Sequence, residues 1–369
     1  MPDMSPSGVK PSVLVVGGGV SGLSVGLALL KSGYGVTLLE QGELGAESSW
    51  AGGGILAPLL PWDYPDSFTR LALRSMALYE NWVNDIESLS GMCAEFVRSG
   101  MHIRGLQQPE SALAWCKKQR LAATLDARTA DQSIWLPDVA QVRNPYLVAA
   151  LHEAVLKLGG IIHTHCAAET ATTQGSKVTS IDTRQGQFAA DRFVLATGAW
   201  AGLGLPGLDG VPNVRPIRGQ MLLFKLEVGA LATILYQDGL YLIPRRDGHI
   251  LAGSTVEDVG FDKSTDEATR QRLHAQAAEL LPALKLVQPI KHWAGLRPGS
   301  PNNIPVIDRH PEFENLFVNA GHFRYGVTLA PASAELLLDL MEDRMPAIDP
   351  HPYSWDNALK RSWPVSKHG

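Results

Sequence analysis

The stretch SVLVVGGGVSGLSVGLALLK, residues 12–31, followed by GVTLLE, residues 35–40, decides the fold. Ser12 to Val16 is a short, mostly apolar run suited to a strand buried on both faces, and Val20 to Lys31 has the length of a helix. Gly35 to Glu40 reads as the next strand, so the segment is a βαβ unit. Its turn carries Gly17-x-Gly19-x-x-Gly22, in which Gly17 permits the tight turn, Gly19 lets backbone approach a pyrophosphate, and Gly22 lets helix and strand pack closely. The helix N-terminus then faces the anion. Glu40 closes the second strand, where a carboxylate can accept hydrogen bonds from a ribose hydroxyl. A nicotinamide-binding chain would continue in regular βα units. Here ESSWAGGGI, residues 47–55, follows, a small-residue loop able to run along an extended ligand, and FAD suits that geometry better.

The 369 residues, 45% apolar and 19% charged, have ordinary globular composition and suit two intimately packed domains. Lys and Arg total 32 against 37 Asp and Glu, a formal charge of −5 with no basic block, which argues against nucleic acid and anionic membrane as partners and for a small-molecule substrate. Cys93, Cys116 and Cys166 share no metal-type spacing and fit a reducing compartment, so a cytoplasmic protein without a metal site is expected. His163 and His165 on one face of a strand beside Cys166 lack a third convergent ligand. The uncharged run from Pro11 to Leu30 follows Lys10 as the core of an export signal would, but glycines interrupt it and no small-residue cleavage pattern closes it.

Further along, residues 70–135 read as mostly helical and mixed, with Met76, Tyr79 and Trp82 spaced as core positions. Asn144 is placed to cap a helix that Pro145 opens and Gly159-Gly160 ends. Ile161–His165, Lys177–Thr183 and Arg192–Thr197 read as extended, the last running into Gly198-Ala199-Trp200, a loop suited to a ligand. Met221–Lys225, Tyr241–Pro244 and His249–Ala252 suggest a separate sheet, with a helix near Glu267–Leu281. Arg245-Arg246-Asp247-Gly248 reads as a solvated hairpin turn, and Trp62 and Tyr64 as part of a lid or a packed loop. Leu316–Asn319 and a helix carrying Leu329, Ala332, Leu336 and Leu340 resume the nucleotide fold.

Six segments, VVGGGVSGL, LLEQGELGAESSWAGGGI, VLATGAW, YLIPRRDGHILAGST, HWAGLRPGSP and NAGHFRYGVTLAPAS, occur in that order across nearly the whole chain. Together they resemble the D-amino-acid-oxidase superfamily of flavoproteins, and within it the glycine oxidases associated with thiamin biosynthesis. The expected architecture is α/β: a Rossmann-like FAD-binding domain (residues 10–85, 142–208 and 296–345) interleaved with a smaller α+β substrate domain (residues 86–141 and 209–295) containing a mostly antiparallel sheet, after a flexible tail at residues 1–9. The resemblance implies FAD contacts at Val20, Ser21, Glu40, Gln41, Ser48, Ser49, Gly53, Gly54 and Ile55, at Ala168 through its backbone, and along His322, Phe323, Arg324, Tyr325, Gly326, Val327 and Thr328, beside the turn glycines Gly17, Gly19 and Gly22. The helix beginning near Val327 would direct its positive end at the flavin ring.

The same resemblance points to Arg297, Arg324 and Tyr241 as groups for a substrate carboxylate. A planar guanidinium can meet both oxygens of a carboxylate while a phenol supplies another donor. Read without the resemblance, Arg297 is better taken as paired with a protein carboxylate and Tyr241 as a half-buried sheet residue, and Arg324 could contact the flavin or its own loop. The implied activity is oxidative deamination of glycine or another small amino acid or amine: hydride passes from Cα to the flavin, the imine is hydrolysed, and dioxygen is reduced to hydrogen peroxide. That route requires no obligatory protein base, and none of the familiar nucleophile or paired-carboxylate constellations is evident. A D-amino-acid dehydrogenase, a sarcosine-oxidase-like enzyme and a flavin-stabilised binding protein are the alternatives, and a homo-oligomer is compatible with all of them. Tyr325 stands where the family usually has asparagine, which puts pocket size in question, and Asp308 replaces a common glycine. Residues 321–326 lack the cysteine that holds flavin covalently in related sarcosine oxidases, so non-covalent FAD is expected.

Overall fold

The computed structural model describes residues 11–126, 133–208, 210 and 212–363. The tail expected at residues 1–9 lies outside them. Ser12–Val16 is a strand, Val20–Lys31 a helix and Gly35–Leu39 the next parallel strand. Alternation along Ser12–Val16 shows why both faces are apolar: Val13 and Val15 face a core built on helices, while Leu14 and Val16 face a second core on the opposite side.

Among the described residues this strand is near the centre of a six-stranded sheet, in the order Val306–Arg309, Leu316–Ala320, Arg192–Leu195, Ser12–Val16, Gly35–Leu39, Ile161–His163. All its neighbours run parallel except Val306–Arg309, which is antiparallel to Leu316–Ala320. Helices Val20–Lys31, Asp66–Ser90, Asn144–Lys157 and Gly326–Met341 pack on one another over one face. The other face is covered by a three-stranded antiparallel sheet, Thr170–Gln174, Lys177–Thr183 and Gly186–Ala189, through Ala171, Val178 and Ile181.

The second large sheet has eight strands among the described residues: Lys291–Gly299, Arg215–Lys225, His249–Gly253, Leu240–Pro244, Ile234–Gln237, Met101–Ile103, Ser133–Leu136 and Thr124–Asp126. Every pairing is antiparallel except that of Ile234–Gln237 with Met101–Ile103. The fold is thus α/β as expected, and residues 70–135, read as mostly helical and mixed, divide between two helices and short strands that the pattern did not locate. Beside the helices Asp66–Ser90 and Pro109–Lys118 this region supplies three short strands to the second sheet, Met101–Ile103 between the two helices and Thr124–Asp126 and Ser133–Leu136 after them. Three or four residues are too few to display a period of two, and the partner Ile234–Gln237 is remote in sequence.

A second correction concerns Asn144. The cap position belongs to Arg143, and the Asn144 amide instead donates to Ser49 O at 2.9 Å, tying the helix start to the loop after the first βαβ unit. Asp308, the residue in place of a family glycine, accepts Trp355 N–H at 2.9 Å and so anchors the short helix Trp355–Lys360.

Candidate active site

The glycine turn is tight in the way its spacing requires. Gly17 has φ +114°, and a Cβ there would lie 2.3 Å from Ala196 O; a Cβ at Gly22 would lie 1.9 Å from Gly17 O. Gly22 therefore serves packing. Glu40, only 9% exposed, accepts Gly18 N–H at 2.8 Å through Oε2 and Gly42 N–H at 2.9 Å through Oε1. Each oxygen keeps a second lone pair, so the carboxylate is held rigid and can still accept hydroxyl protons. Ser49 Oγ accepts Val20 N–H at 2.9 Å, fixing the loop against the helix start.

Two cavities of about 260 Å³ and about 140 Å³ meet along this loop, with Gly19, Ser48, Ser49, Ala196 and Gly198 lining both. The larger runs past Gly17, Glu40, Gln41 and Ala168, and the smaller past Val20, Ser21, Gly53, Gly54, Ile55 and residues 322–328. Every position implied as a cofactor contact lines this slot except Gly22. The residues fit an extended dinucleotide: a buried carboxylate at one end, exposed backbone at a helix start in the middle, and a small-residue loop along one side. Helix Gly326–Met341 begins at the far end, one residue earlier than expected.

What holds the loop in place was misread from sequence. Residues 245–248 do form the hairpin turn, with Gly248 N–H donating to Arg245 O at 3.0 Å, but Arg245 is not solvated. Its guanidinium is buried and donates to Gly53 O at 2.7 Å, Gln141 Oε1 at 2.8 Å and Val142 O at 2.9 Å. Desolvation pulls its pKa down to about 10, so it remains a cation at neutral pH. A buried arginine thus clamps the carbonyl of the loop that lines the slot.

Arg297, Arg324 and Tyr241 all face the smaller cavity. Arg297 is half-buried, and among the described residues no carboxylate lies within ion-pair distance of it, which removes the reading as a protein ion pair. Its Nη1 donates to Thr255 O at 3.1 Å and Arg218 O at 3.3 Å, and Nη2 donates to Ser254 Oγ at 2.6 Å. Burial lowers its pKa from the ordinary guanidinium value, with the neighbouring Tyr241 phenol opposing the shift. Tyr241 is buried in its strand, its hydroxyl beside the Arg297 guanidinium and 3.7 Å from Met221 Sδ. Arg324 is exposed, with its guanidinium 5.4 Å from the Phe323 ring.

Tyr325 is buried and packs against Phe68 and, edge-on, Tyr64. Its hydroxyl pairs with that of Tyr64 and accepts Leu59 N–H at 3.3 Å. Tyr64 and Trp62, which meets Trp115 edge-on, therefore belong to a packed loop. His322 is buried, bonded to Ser333 Oγ at 3.1 Å, and desolvation pulls its pKa down to about 4, leaving a neutral ring. Among the described residues no aspartate, glutamate or lysine lines this cavity. Away from the slot, His163 packs on Phe188, and His165 pairs with Glu43 at 3.0 Å.

Sequence reasoning missed Gly219, Ser254 and Arg245. A Cβ at Gly219 would lie 2.2 Å from both terminal nitrogens of Arg297, so only glycine leaves the guanidinium its place. An isolated glycine inside a strand was the available signal.

The site and fold define a flavoprotein oxidoreductase: the chain belongs to the FAD dependent oxidoreductase family (DAO), whose profile matches residues 12–340, and its cofactor is FAD. Among particular relatives, it is 41% identical over 364 residues to the glycine oxidase of Pseudomonas putida, covering 95% of this chain and all of that one. It is 33% identical to the bifunctional protein ThiO/ThiG of a Synechocystis species, covering 90% of this chain and 52% of that longer one. The crystal structure of glycine oxidase from Geobacillus kaustophilus superposes with a TM-score of 0.86 at 27% identity, covering 94% of this chain and 98% of that one. No described helix is long and apolar enough to cross a membrane.

Proposed function

We propose that this enzyme oxidatively deaminates glycine and other small amino acids or amines, with dioxygen as electron acceptor and hydrogen peroxide as product. The observation that carries the reading is Arg297, a half-buried guanidinium facing the cavity at the far end of the slot with no carboxylate among the described residues to neutralise it. A small zwitterion's carboxylate supplies that missing charge, with the Tyr241 hydroxyl as a further donor and Arg324 as a second cation at the cavity wall. FAD, when bound, supplies the hydride acceptor.

The chain's own residues bind, orient and exclude water. Glu40 and Gln41 would hold the ribose end, and Gly17, Gly19, Val20 and Ser21 the pyrophosphate. Ser48, Ser49, Gly53, Gly54, Ile55 and Ala168 would line the extended body, and His322 to Thr328 the ring. Non-covalent FAD is supported by the absence of cysteine from residues 321–326. Among the described residues no carboxylate or lysine lines the cavity, and His322, bonded to Ser333 with its pKa pulled down to about 4, is a weak base, so the amine is expected to react as its neutral form.

The domain division given above is retained as a proposal, supported by membership of the two large sheets, with Lys291–Gly299 bridging its last boundary. A cytoplasmic site is supported by three free cysteines, and a role in supplying thiazole synthesis by likeness to fused ThiO/ThiG proteins. Turnover of glycine, sarcosine and a panel of D-amino acids, with simultaneous peroxide and keto-acid detection, tests the reading. Peroxide in step with glyoxylate from glycine supports it; substrate oxidation without peroxide under air would make the enzyme a dehydrogenase.

A further inference from the structure

Resting on the carboxylate role just given to Arg297, we propose that Ser254 is a positioning residue for the substrate carboxylate, acting by fixing the plane of the Arg297 guanidinium. A guanidinium has five N–H donors. The bonds to Arg218 O, Thr255 O and Ser254 Oγ use three, and the two left are the number a bidentate carboxylate needs. The Ser254 bond, at 2.6 Å, is the shortest of the three and the only one made by a side chain. Beneath the fork lies Gly219, so the ring of contacts leaves the guanidinium little freedom to tilt.

The serine is itself held by a braced loop. Thr255 Oγ1 accepts Gln220 N–H at 2.8 Å and donates to Glu257, and Glu257 in turn accepts Arg218 Nε–H at 2.8 Å. Arg218 is buried. Because Ser254 lines the cavity and its oxygen is already an acceptor, its hydroxyl proton remains available to whatever anion Arg297 holds.

The test is a comparison of holoenzymes, wild type against Ser254→Ala, Ser254→Thr and Arg297→Ala, read by acetate titration of the flavin absorbance and by glycine kinetics. Ser254→Ala is expected to weaken acetate about ten-fold and to raise the glycine KM similarly, as loss of one hydrogen bond to a charged group does. The loss falls on KM more than on kcat, because the fork binds carboxylate in ground and transition states alike. Ser254→Thr, which keeps the hydroxyl, is expected to restore most of the acetate affinity. Wild-type acetate affinity in Ser254→Ala, or a loss that Ser254→Thr shares in full, overturns the proposal. If Arg297→Ala also leaves acetate binding unchanged, the carboxylate reading itself has failed; if Arg297→Ala weakens acetate and Ser254→Ala does not, only the role of Ser254 has.

Discussion

Gly219→Ala is the sharpest perturbation available, because it adds one methyl group at a point where the geometry leaves no room. The new Cβ would stand 2.2 Å from Nη1 and Nη2 of Arg297 and 2.4 Å from Cζ, whereas real contacts of that kind stay beyond 3.0 Å. Gly219 sits in the ladder opposite Gly295, so its backbone is pinned by the sheet and the guanidinium must retreat instead. A retreat of that size breaks the bonds to Ser254 Oγ and Thr255 O and tips the fork away from the cavity. Misplacement of a positioning group by about 1 Å costs on the order of 100-fold in kcat/KM. The glycine turn and Glu40, where the other end of the cofactor would lie, are untouched, so bound FAD should be retained. Steady-state kinetics on glycine together with the flavin-to-protein absorbance ratio checks both parts. Wild-type kcat/KM in a variant that keeps its flavin would refute the claim that Arg297 occupies this position and holds substrate there.

Arg245→Leu should lower stability by at least about 3 kcal/mol, since it strands the acceptors Gly53 O, Val142 O and Gln141 Oε1, and should shed FAD; thermal melting and flavin content report the two effects. Glu40→Ala should leave glycine kinetics of the loaded enzyme near normal while weakening FAD about ten-fold or more, measured by titrating apoprotein with FAD. Tyr325→Phe removes the hydroxyl shared by Leu59 N–H and Tyr64, and about 1 kcal/mol of stability should go with it without loss of flavin. Acid stability carries a sign. The buried His322 binds its proton only near pH 4, whereas the unfolded chain binds it near 6.5, so between those values the unfolded state holds more protons and stability falls as pH falls. The window is worth about 3 kcal/mol, and melting curves from pH 7 to 4 should flatten in His322→Gln.

What was legible in the sequence was what is local. The turn glycines, the helix from Val20 and the acid at Glu40 lie within one βαβ unit, and their spacing carries their geometry. Arg297 was visible through family resemblance, and its lack of a carboxylate partner only in three dimensions. Arg245 was misjudged because a run of Arg-Arg-Asp-Gly looks solvated, while its burial comes from Gln141, Val142 and Gly53, each about a hundred residues or more away. Gly219 and Ser254 were hidden for the same reason. Their roles come from strand register, which lays Arg215–Lys225 between Lys291–Gly299 and His249–Gly253 and brings Arg297 over the glycine.

The central claim is that a small amino acid delivers its Cα hydride into the slot that begins at Glu40 and ends at Arg297. Anaerobic mixing of purified holoenzyme with glycine reads that event directly, as bleaching of the visible flavin absorbance in a single turnover. The account predicts full bleaching at saturating glycine and recovery of the colour, with peroxide, when air is admitted. Flavin that stays oxidised with glycine, sarcosine and the D-amino acids alike would contradict it.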